Sequence, residues 1–275
     1  MNAGLHIEDR EGECCGQCSC DAPAVPAKSR QLKLISLLLD YPQEELWSLG
    51  KDIRESIYAL EFGNQARHDL HHFIDQLLAT EPMQAQASWS ETFDRGRAMS
   101  LLMFEHIHGE SRDRGQAMVD LMETYRKNGF EIDRRELPDY LPLLLEYLAQ
   151  RPEDEGREWL SHLTQILNLL AARSHERNSP YAVLFEQLIR HAGETPDLSS
   201  FRRRAANEER DDTPEAMDKV WEEEAVRFGP EAPATAACAP NRFLDRKTSS
   251  GVATRTDPHP QPLSHKERGD SAASA

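Results

Sequence analysis

Apolar residues that recur every three or four positions run through most of the chain, and this spacing constrains its fold more than any other feature. Such spacing places the apolar side chains on one face of an α-helix. We count about nine helical patterns of this kind and no convincing strand. One pattern comprises Leu32, Ile35, Leu38 and Leu39. The sequence therefore predicts an all-α fold.

Prolines and glycines set the predicted ends of these helices. Asn128-Gly129 is typical of a helix end. Thr213-Pro214 is typical of a helix start, with proline at the first helical position. The connections between the patterns are short, as in a domain whose neighbouring helices pack together. We expect one compact helical domain over residues 31–228.

The two ends of the chain lack a helical period. Residues 1–30 contain a cysteine cluster from Cys14 to Cys20 and then a proline-containing run. Residues 229–275 are rich in Pro, Ala, Ser and Thr. Such compositions do not bury enough apolar surface to fold. We expect a disordered leader at 1–30 and a disordered tail at 229–275.

The formal net charge of −16 argues against several classes of partner. Nucleic-acid binding needs a basic surface, so we do not expect it. No apolar run approaches the roughly 18 residues needed to cross a bilayer, and we expect neither membrane insertion nor a secretory signal. All cysteines lie outside the predicted core, as in a reducing compartment. The sequence predicts a cytoplasmic protein whose acidic body favours basic partners.

The predicted core offers no motif for catalysis, since it has no cysteine and no Gly-x-Ser-x-Gly turn. Glu105 and His108 have the Glu-x-x-His spacing of di-iron bundles, but that chemistry needs a second such pair. We expect His108-Gly109 to end a helix, and a metal- or cofactor-binding protein that uses Glu105 and His108 is the alternative. The thiols from Cys14 to Cys20 would have to form a metal site from one short loop, so we expect none. The sequence predicts neither an enzyme nor a bound metal or cofactor.

Two Asp-Arg-Gly triplets, at 94–96 and 113–115, bracket one helical pattern. We expect ion pairs there, Asp94 with Arg97 or Arg112 with Asp113, to fix the helix ends. A weaker alternative is a local basic patch that holds the diphosphate of a pterin cofactor, formed by Arg95, Arg97, Arg112 and Arg114.

A proline-containing segment in the middle of the chain is the strongest candidate for binding. Pro138 and Pro142 do not both fit inside a regular helix, because each lacks an amide donor and clashes with the preceding turn. A kinked approach should therefore precede a helix that has Pro142 in its first turn. Backbone groups beside Leu137 and Tyr140 would then be free to receive a peptide. The alternative is a helix entry kept only for packing.

A resemblance to a known family is carried by the strings LLDYP (38–42), FDRGRAMSLLMFEHIHGESRDRGQAMVDL (93–121), ELPDYLPLLLEYLAQ (136–150), YAVLFEQLI (181–189) and DDTPEAMDKVWEEE (211–224). Residues from about 31 to 228 resemble the nitrate reductase molybdenum cofactor assembly chaperones, the NarJ family, also called the respiratory nitrate reductase delta subunit. This family is similar to the TorD and DmsD proteins, which are all-helical and bind leader peptides of molybdoenzymes. The cysteine cluster and the tail after Gly229 depart from the family pattern.

By that resemblance the chain would bind the N-terminus of the apo catalytic (alpha) subunit of a respiratory nitrate reductase. It would keep this subunit competent for molybdenum cofactor insertion, delay its membrane attachment, and not form part of the finished enzyme. The resemblance also admits the alpha–beta complex and proteins of molybdenum cofactor biosynthesis as partners. In the wider family a Pro-Asp motif lies at the leader-binding groove. The positions that match it here are Pro138, Asp139 and Tyr140, with Glu136 and Glu146 as nearby acidic contacts.

We therefore expect the client peptide to contact an apolar face and an acidic set in this segment. Tyr140, Leu143 and Tyr147 share one helical face, and the acidic residues would meet Lys or Arg of the peptide. The predicted contact residues are Glu136, Leu137, Pro138, Asp139, Tyr140, Leu143, Glu146 and Tyr147.

Overall fold

Helices make up most of the structure. The computed structural model describes residues 5–7, 27–109, 111–132 and 136–224, all within one unit, Met1–Ala225. The predicted all-α class is confirmed. The described residues form twelve α-helices: α1 Ala27–Leu39, α2 Glu45–Ser48, α3 Gly50–Ala59, α4 Asn64–Ala79, α5 Pro82–Phe93, α6 Met103–His108, α7 Asp113–Lys127, α8 Leu141–Leu148, α9 Glu153–Glu176, α10 Ala182–His191, α11 Leu198–Asn207 and α12 Pro214–Glu224.

Two short strands are the exception to the helical pattern. β1 (Leu5–Ile7) pairs antiparallel with β2 (Phe130–Ile132). The prediction of no strand was wrong here, and the leader predicted to be disordered contains β1 and, from Ala27, the start of α1. Three-residue strands are too short to show an alternating pattern, so the sequence gives no local sign of them. The rest of the leader and the predicted tail at 229–275 lie outside the described residues.

α8 is the central helix of the domain. All of its residues from Leu141 to Leu148 are buried, as expected for a helix that is apolar on nearly every side. α1 packs along it, and the Ser36 hydroxyl donates a hydrogen bond to the Pro142 carbonyl at 2.7 Å. The ring N–H of Trp89 on α5 donates to the Leu39 carbonyl at 2.9 Å. Buried hydrogen bonds thus fix α1 against both α5 and α8.

The longest helix, α9, organises the other part of the core. It packs against α10 and α11, and α10 packs in turn against α4. The Tyr181 ring lies between two phenylalanines, with ring centroids 4.9 Å from Phe93 and 5.3 Å from Phe73. These rings join α4 and α5 to the start of α10. No helix among the described residues has the length and apolar character required to span a membrane.

Several predicted helix ends are confirmed. α7 ends at Lys127, and Gly129 two positions later has a φ of +79°, the left-handed conformation that favours glycine. Pro214 is the first residue of α12, and the Thr213 hydroxyl accepts a hydrogen bond from the Ala216 amide at 3.2 Å. α11 was missed, because its sequence LSSFRRRAAN has few apolar residues to mark a face.

Candidate functional site

A cleft of about 310 Å³ forms where three separate parts of the chain meet. These parts are the segment after α1, the end of α5 with the residues that follow it, and the approach to α8. We call it the Leu137 cleft. Its lining includes Asp40, Tyr41, Trp89, Asp94, Glu136, Leu137 and Tyr140.

Backbone and side-chain hydrogen bonds hold these parts of the cleft together. The Tyr140 hydroxyl donates to a carboxylate oxygen of Asp40 at 3.0 Å, and the same oxygen accepts from the Tyr41 amide at 2.9 Å. The Leu141 amide donates to the Leu101 carbonyl at 2.8 Å. The shape of the cleft therefore depends on contacts between segments that are distant in sequence.

The Leu137 cleft is acidic and partly apolar. Asp40, Asp94 and Glu136 line it, and none of its described lining residues is a Lys or Arg. Burial, with the nearby Asp40 carboxylate, raises the pKa of Tyr140 far above its usual value, so this hydroxyl stays protonated. Partial loss of water contact also raises the pKa of Asp94, and a hydrogen bond from Ser90 opposes that rise. Such a surface suits a polypeptide segment that has both apolar and basic side chains.

Three of the predicted contact residues border this cleft. Glu136 is exposed, Leu137 has 40% of its surface exposed, and Tyr140 is half-buried. At the border of a cleft, an exposed leucine is placed to contact an apolar side chain of a bound peptide. The backbone groups predicted to be free are paired, however, since the Tyr140 amide donates to the Leu137 carbonyl at 3.1 Å.

Asp139 is not available for peptide contact in this structure, which corrects its predicted role. Its side chain is fully buried, and one carboxylate oxygen accepts a hydrogen bond from the Phe104 amide at 3.0 Å. Its own carbonyl accepts from the Met103 amide at 3.0 Å. Burial raises the pKa of Asp139, while the Phe104 amide and the charge of Arg114 lower it. Asp139 therefore caps the N-terminus of α6, which has no cap from its own chain segment.

The other predicted contacts are also buried, which corrects their predicted role as residues that contact a peptide. Leu143 is inside the core, and the Glu146 carboxylate forms an ion pair with Lys33 of α1. The Tyr147 hydroxyl accepts from the Asn128 side chain at 2.9 Å. Pro138, the last of the predicted contact residues, is buried as well, and its carbonyl accepts a hydrogen bond from the Tyr125 hydroxyl at 2.8 Å. Leu143, Glu146 and Tyr147 are buried because they belong to α8, which is apolar on nearly every side. That apolar pattern was the sign in the sequence that α8 is buried.

Comparison with known proteins identifies the family. Residues 61–187 match the family model described as nitrate reductase delta subunit. The nitrate reductase molybdenum cofactor assembly chaperone NarJ of Escherichia coli (strain K12) is 50% identical over 199 residues, which cover 72% of this chain and 84% of that relative. The chain belongs to the nitrate reductase delta subunit family.

Two further relatives agree with this family assignment. The probable assembly chaperone NarW of Escherichia coli (strain K12) is 45% identical over 222 residues, 81% of this chain and 94% of that relative. The probable NarJ of Bacillus subtilis (strain 168) is 33% identical over 156 residues, 56% of this chain and 84% of that relative. These family members are named as assembly chaperones rather than catalysts, in agreement with the prediction that the chain is not an enzyme.

The two Asp-Arg-Gly triplets take part in, or lie beside, contacts within the protein. A carboxylate oxygen of Asp211 accepts from the Ala98 amide at 2.7 Å, directly beside Gly96. Arg95 pairs with Glu91 at 3.0 Å. Arg114 of the second triplet pairs with Glu105 at 3.2 Å. These ion pairs are not the ones predicted from the sequence. Arg95 and Arg114, two members of the suggested basic patch, are therefore paired with carboxylates.

The alternative metal site gains no support from the geometry. Glu105 is held by Arg114, and the His108 ring packs against Phe104 with centroids 5.6 Å apart. Within the described ranges, no three His, Cys, Asp or Glu residues are close enough to hold a metal ion. α6 ends at His108, and Gly109 has a φ of +55°, so the predicted helix end is confirmed. The cysteine cluster from Cys14 to Cys20 lies outside the described residues.

Sequence reasoning missed the part of the cleft that lies outside the segment around Pro138. Asp40 and Tyr41 belong to the string LLDYP, and Trp89 and Asp94 lie at the end of α5. That string carries part of the family resemblance and includes none of the predicted contact residues. Its Asp-Tyr-Pro end, directly after an apolar helical run, was the one available sign of a polar edge at that helix end.

Proposed function

We propose that this chain is a chaperone that binds the N-terminal segment of the apo catalytic subunit of a respiratory nitrate reductase. It keeps that subunit competent for insertion of the molybdenum cofactor and delays its attachment to the membrane until insertion is complete. This step takes place in the cytoplasm. The family and the names of its members support the general role, since those relatives are named for molybdenum cofactor assembly of nitrate reductase.

The Leu137 cleft is the observation that carries this proposal. It combines carboxylates on Asp40, Asp94 and Glu136 with an exposed leucine and aromatic walls. An amphipathic helix or extended segment binds such a groove through apolar side chains, and its basic residues meet the carboxylates. The cleft also joins chain segments that the sequence separates widely, so a peptide seated there contacts several elements at once.

Two side chains provide the sharpest test, because they border the cleft without supporting the core. Leu137 and Glu136 are both exposed, unlike the buried residues of α8. We expect Leu137→Ala to weaken binding by about 1 kcal/mol or more, as for an anchor residue. Glu136→Gln should weaken the binding of a basic peptide and leave the fold intact.

The experiment is a calorimetric titration of the full chain with a synthetic peptide of the catalytic subunit's N-terminal segment. Leu49→Ala is the matched control for Leu137→Ala, since Leu49 is 43% exposed, against 40% for Leu137, and lies outside the cleft lining. Glu158→Gln, at another exposed glutamate, is the control for Glu136→Gln. Saturable binding that only the two cleft variants weaken supports the proposal. Absence of binding to folded wild type, or equal losses in the controls, contradicts it.

A further inference from the structure

We propose that the client has a second docking surface on the edge of β2 (Phe130–Ile132) that pairs with β1, which we call the β2 edge. In the structure β1 covers this edge, and the client would displace it. An extended segment of the client, with apolar residues at alternate positions, would add to β2 in place of β1. This inference rests on the proposed function, because it names a second contact of the same client.

The pairing of β1 with β2 demonstrates that this edge accepts an extended backbone. Leu5 lies opposite Ile132, and Ile7 lies opposite Phe130, in an antiparallel register. In the described part of the chain this sheet has two strands only. Strand addition depends mainly on main-chain hydrogen bonds, so a different segment with a similar alternation can take the same place.

β2 is anchored independently of β1, so the edge persists when β1 leaves. Phe130 is buried, and its ring packs edge-to-face on Tyr147 of α8 with centroids 5.4 Å apart. β2 also packs against α7. A cavity of about 150 Å³ beside β2 provides space for one side chain of an added strand. It is lined by Met122, Tyr125, Arg126, Phe130, Glu131 and Ile132.

The β2 edge lies within reach of the Leu137 cleft. Ile132, the last residue of β2, is four positions before Glu136 at the cleft. Four residues span at most about 14 Å, even when fully extended. One client segment of ordinary length can therefore occupy the cleft and continue along β2.

The short length of β1 makes exchange feasible. A three-residue strand forms few ladder hydrogen bonds, and a longer client strand forms more. β1 is nevertheless joined to α1 through residues 8–26, so its local concentration at the edge is high. A client must compete with it, and the client's apparent affinity equals its intrinsic affinity multiplied by the fraction of time that β1 leaves the edge open.

The test uses variants of the full chain that release β1 without changing β2. Adjacent residues of an antiparallel strand point their amide groups in opposite directions, so one of two neighbours must donate to the ladder. The double variant His6→Pro with Ile7→Pro therefore removes a ladder donor in either case. The matched control is His6→Ala with Ile7→Ala, which keeps both amide groups. A chain that lacks residues 2–7 is the second test variant.

We expect the proline variant and the shortened chain to bind the client peptide about tenfold more tightly than wild type, as for an edge that β1 covers about nine-tenths of the time. The alanine control should bind less tightly than these two. A synthetic peptide of residues 1–10, added to the shortened chain, should bind it and restore the weaker client affinity.

Two outcomes separate this inference from the proposed function. If the client binds every variant equally and the 1–10 peptide does not compete, the β2 edge is not a docking surface, and the proposed function stands. If the 1–10 peptide binds the shortened chain but the client peptide binds no variant, the proposed client is wrong, and β2 remains an acceptor of extended segments.

Discussion

Two glycines in identical Asp-Arg-Gly triplets have different surroundings. A Cβ atom at Gly96 would lie 2.5 Å from the carboxyl carbon of Asp211, whereas nothing lies within 4 Å of a Cβ atom at Gly115. The Asp211 carboxylate cannot move freely, since it accepts from the Ala98 amide at 2.7 Å and from Arg177 at 3.1 Å. The first triplet needs glycine for this close approach, and the second does not.

Alanine at the two glycines should therefore change stability in opposite directions. Gly96→Ala should lower the free energy of unfolding by about 1–3 kcal/mol, because the new methyl group displaces the Asp211 carboxylate. Gly115→Ala, inside α7, should raise it by about 0.5–1 kcal/mol through better helix propensity. Urea unfolding followed by circular dichroism measures both. Equal effects at the two positions would contradict a structural role for Asp211 beside Gly96.

The buried cap at Asp139 gives a second prediction at the residue scale. Asp139→Ala should lower the free energy of unfolding by about 0.5–2 kcal/mol, because the Phe104 amide at the start of α6 loses its acceptor. Asp139→Asn keeps an acceptor oxygen and should lose less. Denaturant unfolding of the two variants at neutral pH measures the difference.

The raised pKa of Asp139 adds a pH dependence to this comparison. Because burial raises its pKa above the usual 3.8, the folded state binds more protons than the unfolded state between the two values. Stability then falls as the pH rises through that interval. Asparagine does not titrate. The stability of Asp139→Asn relative to wild type should therefore increase as the pH rises above 3.8, the usual pKa of an aspartate. A constant difference across the acidic range would mean that burial does not perturb this carboxyl group.

At the scale of elements, the sequence predicts helices well because their spacing is local. The helix ends at Asn128-Gly129 and at Thr213-Pro214 follow from residues that act within one turn. The burial of α8 was not predicted, since spacing alone assigned Leu143 and Tyr147 to a face that contacts a peptide. The pairing of β1 with β2 could not be predicted, because it joins distant three-residue segments. Long-range contacts of this kind leave no periodic trace in sequence.

The candidate site also has a part that local sequence predicts and a part that only tertiary packing brings together. Leu137 and Tyr140 were predicted from the local geometry that the prolines impose, Glu136 was added from the family resemblance, and all three border the cleft. Asp40 and Trp89 were not predicted to join them, because α1 and α5 reach the cleft only through tertiary packing. Local chemistry therefore indicated one wall of the cleft, and the packing of α1, α5 and α8 supplied the others.

The position of α8 in the core predicts different effects for two leucines that were both expected to contact a peptide. Leu143 is fully buried, so Leu143→Ala should lower the free energy of unfolding by about 2–5 kcal/mol. Leu137 is exposed, so Leu137→Ala should change it by no more than about 0.5 kcal/mol. Chemical denaturation of both variants makes the comparison. A large stability loss at Leu137 would mean that this residue supports the fold rather than a ligand.

For the whole molecule, the charge of the chain and the charge of the cleft have the same sign. The formal net charge is −16, and three carboxylates line the Leu137 cleft. A strongly acidic protein attracts a basic segment from a distance, and an acidic cleft determines where that segment docks. Such attraction acts mainly on the rate of association, while short-range contacts determine the rate of dissociation.

The association rate of a basic client peptide should therefore fall by about tenfold between low salt and physiological salt. Salt shortens the range of the attraction from about 30 Å at 0.01 M to about 8 Å at 0.15 M, and contacts inside the cleft are screened less. Stopped-flow fluorescence with a labelled peptide measures both rates, and the dissociation rate should change little. A control peptide with glutamine in place of each lysine and arginine should associate at a rate that salt does not alter. If salt instead acts only on dissociation, or affects both peptides equally, then the acidic surface does not steer the client, and the affinity must come from apolar contacts at Leu137 and its neighbours.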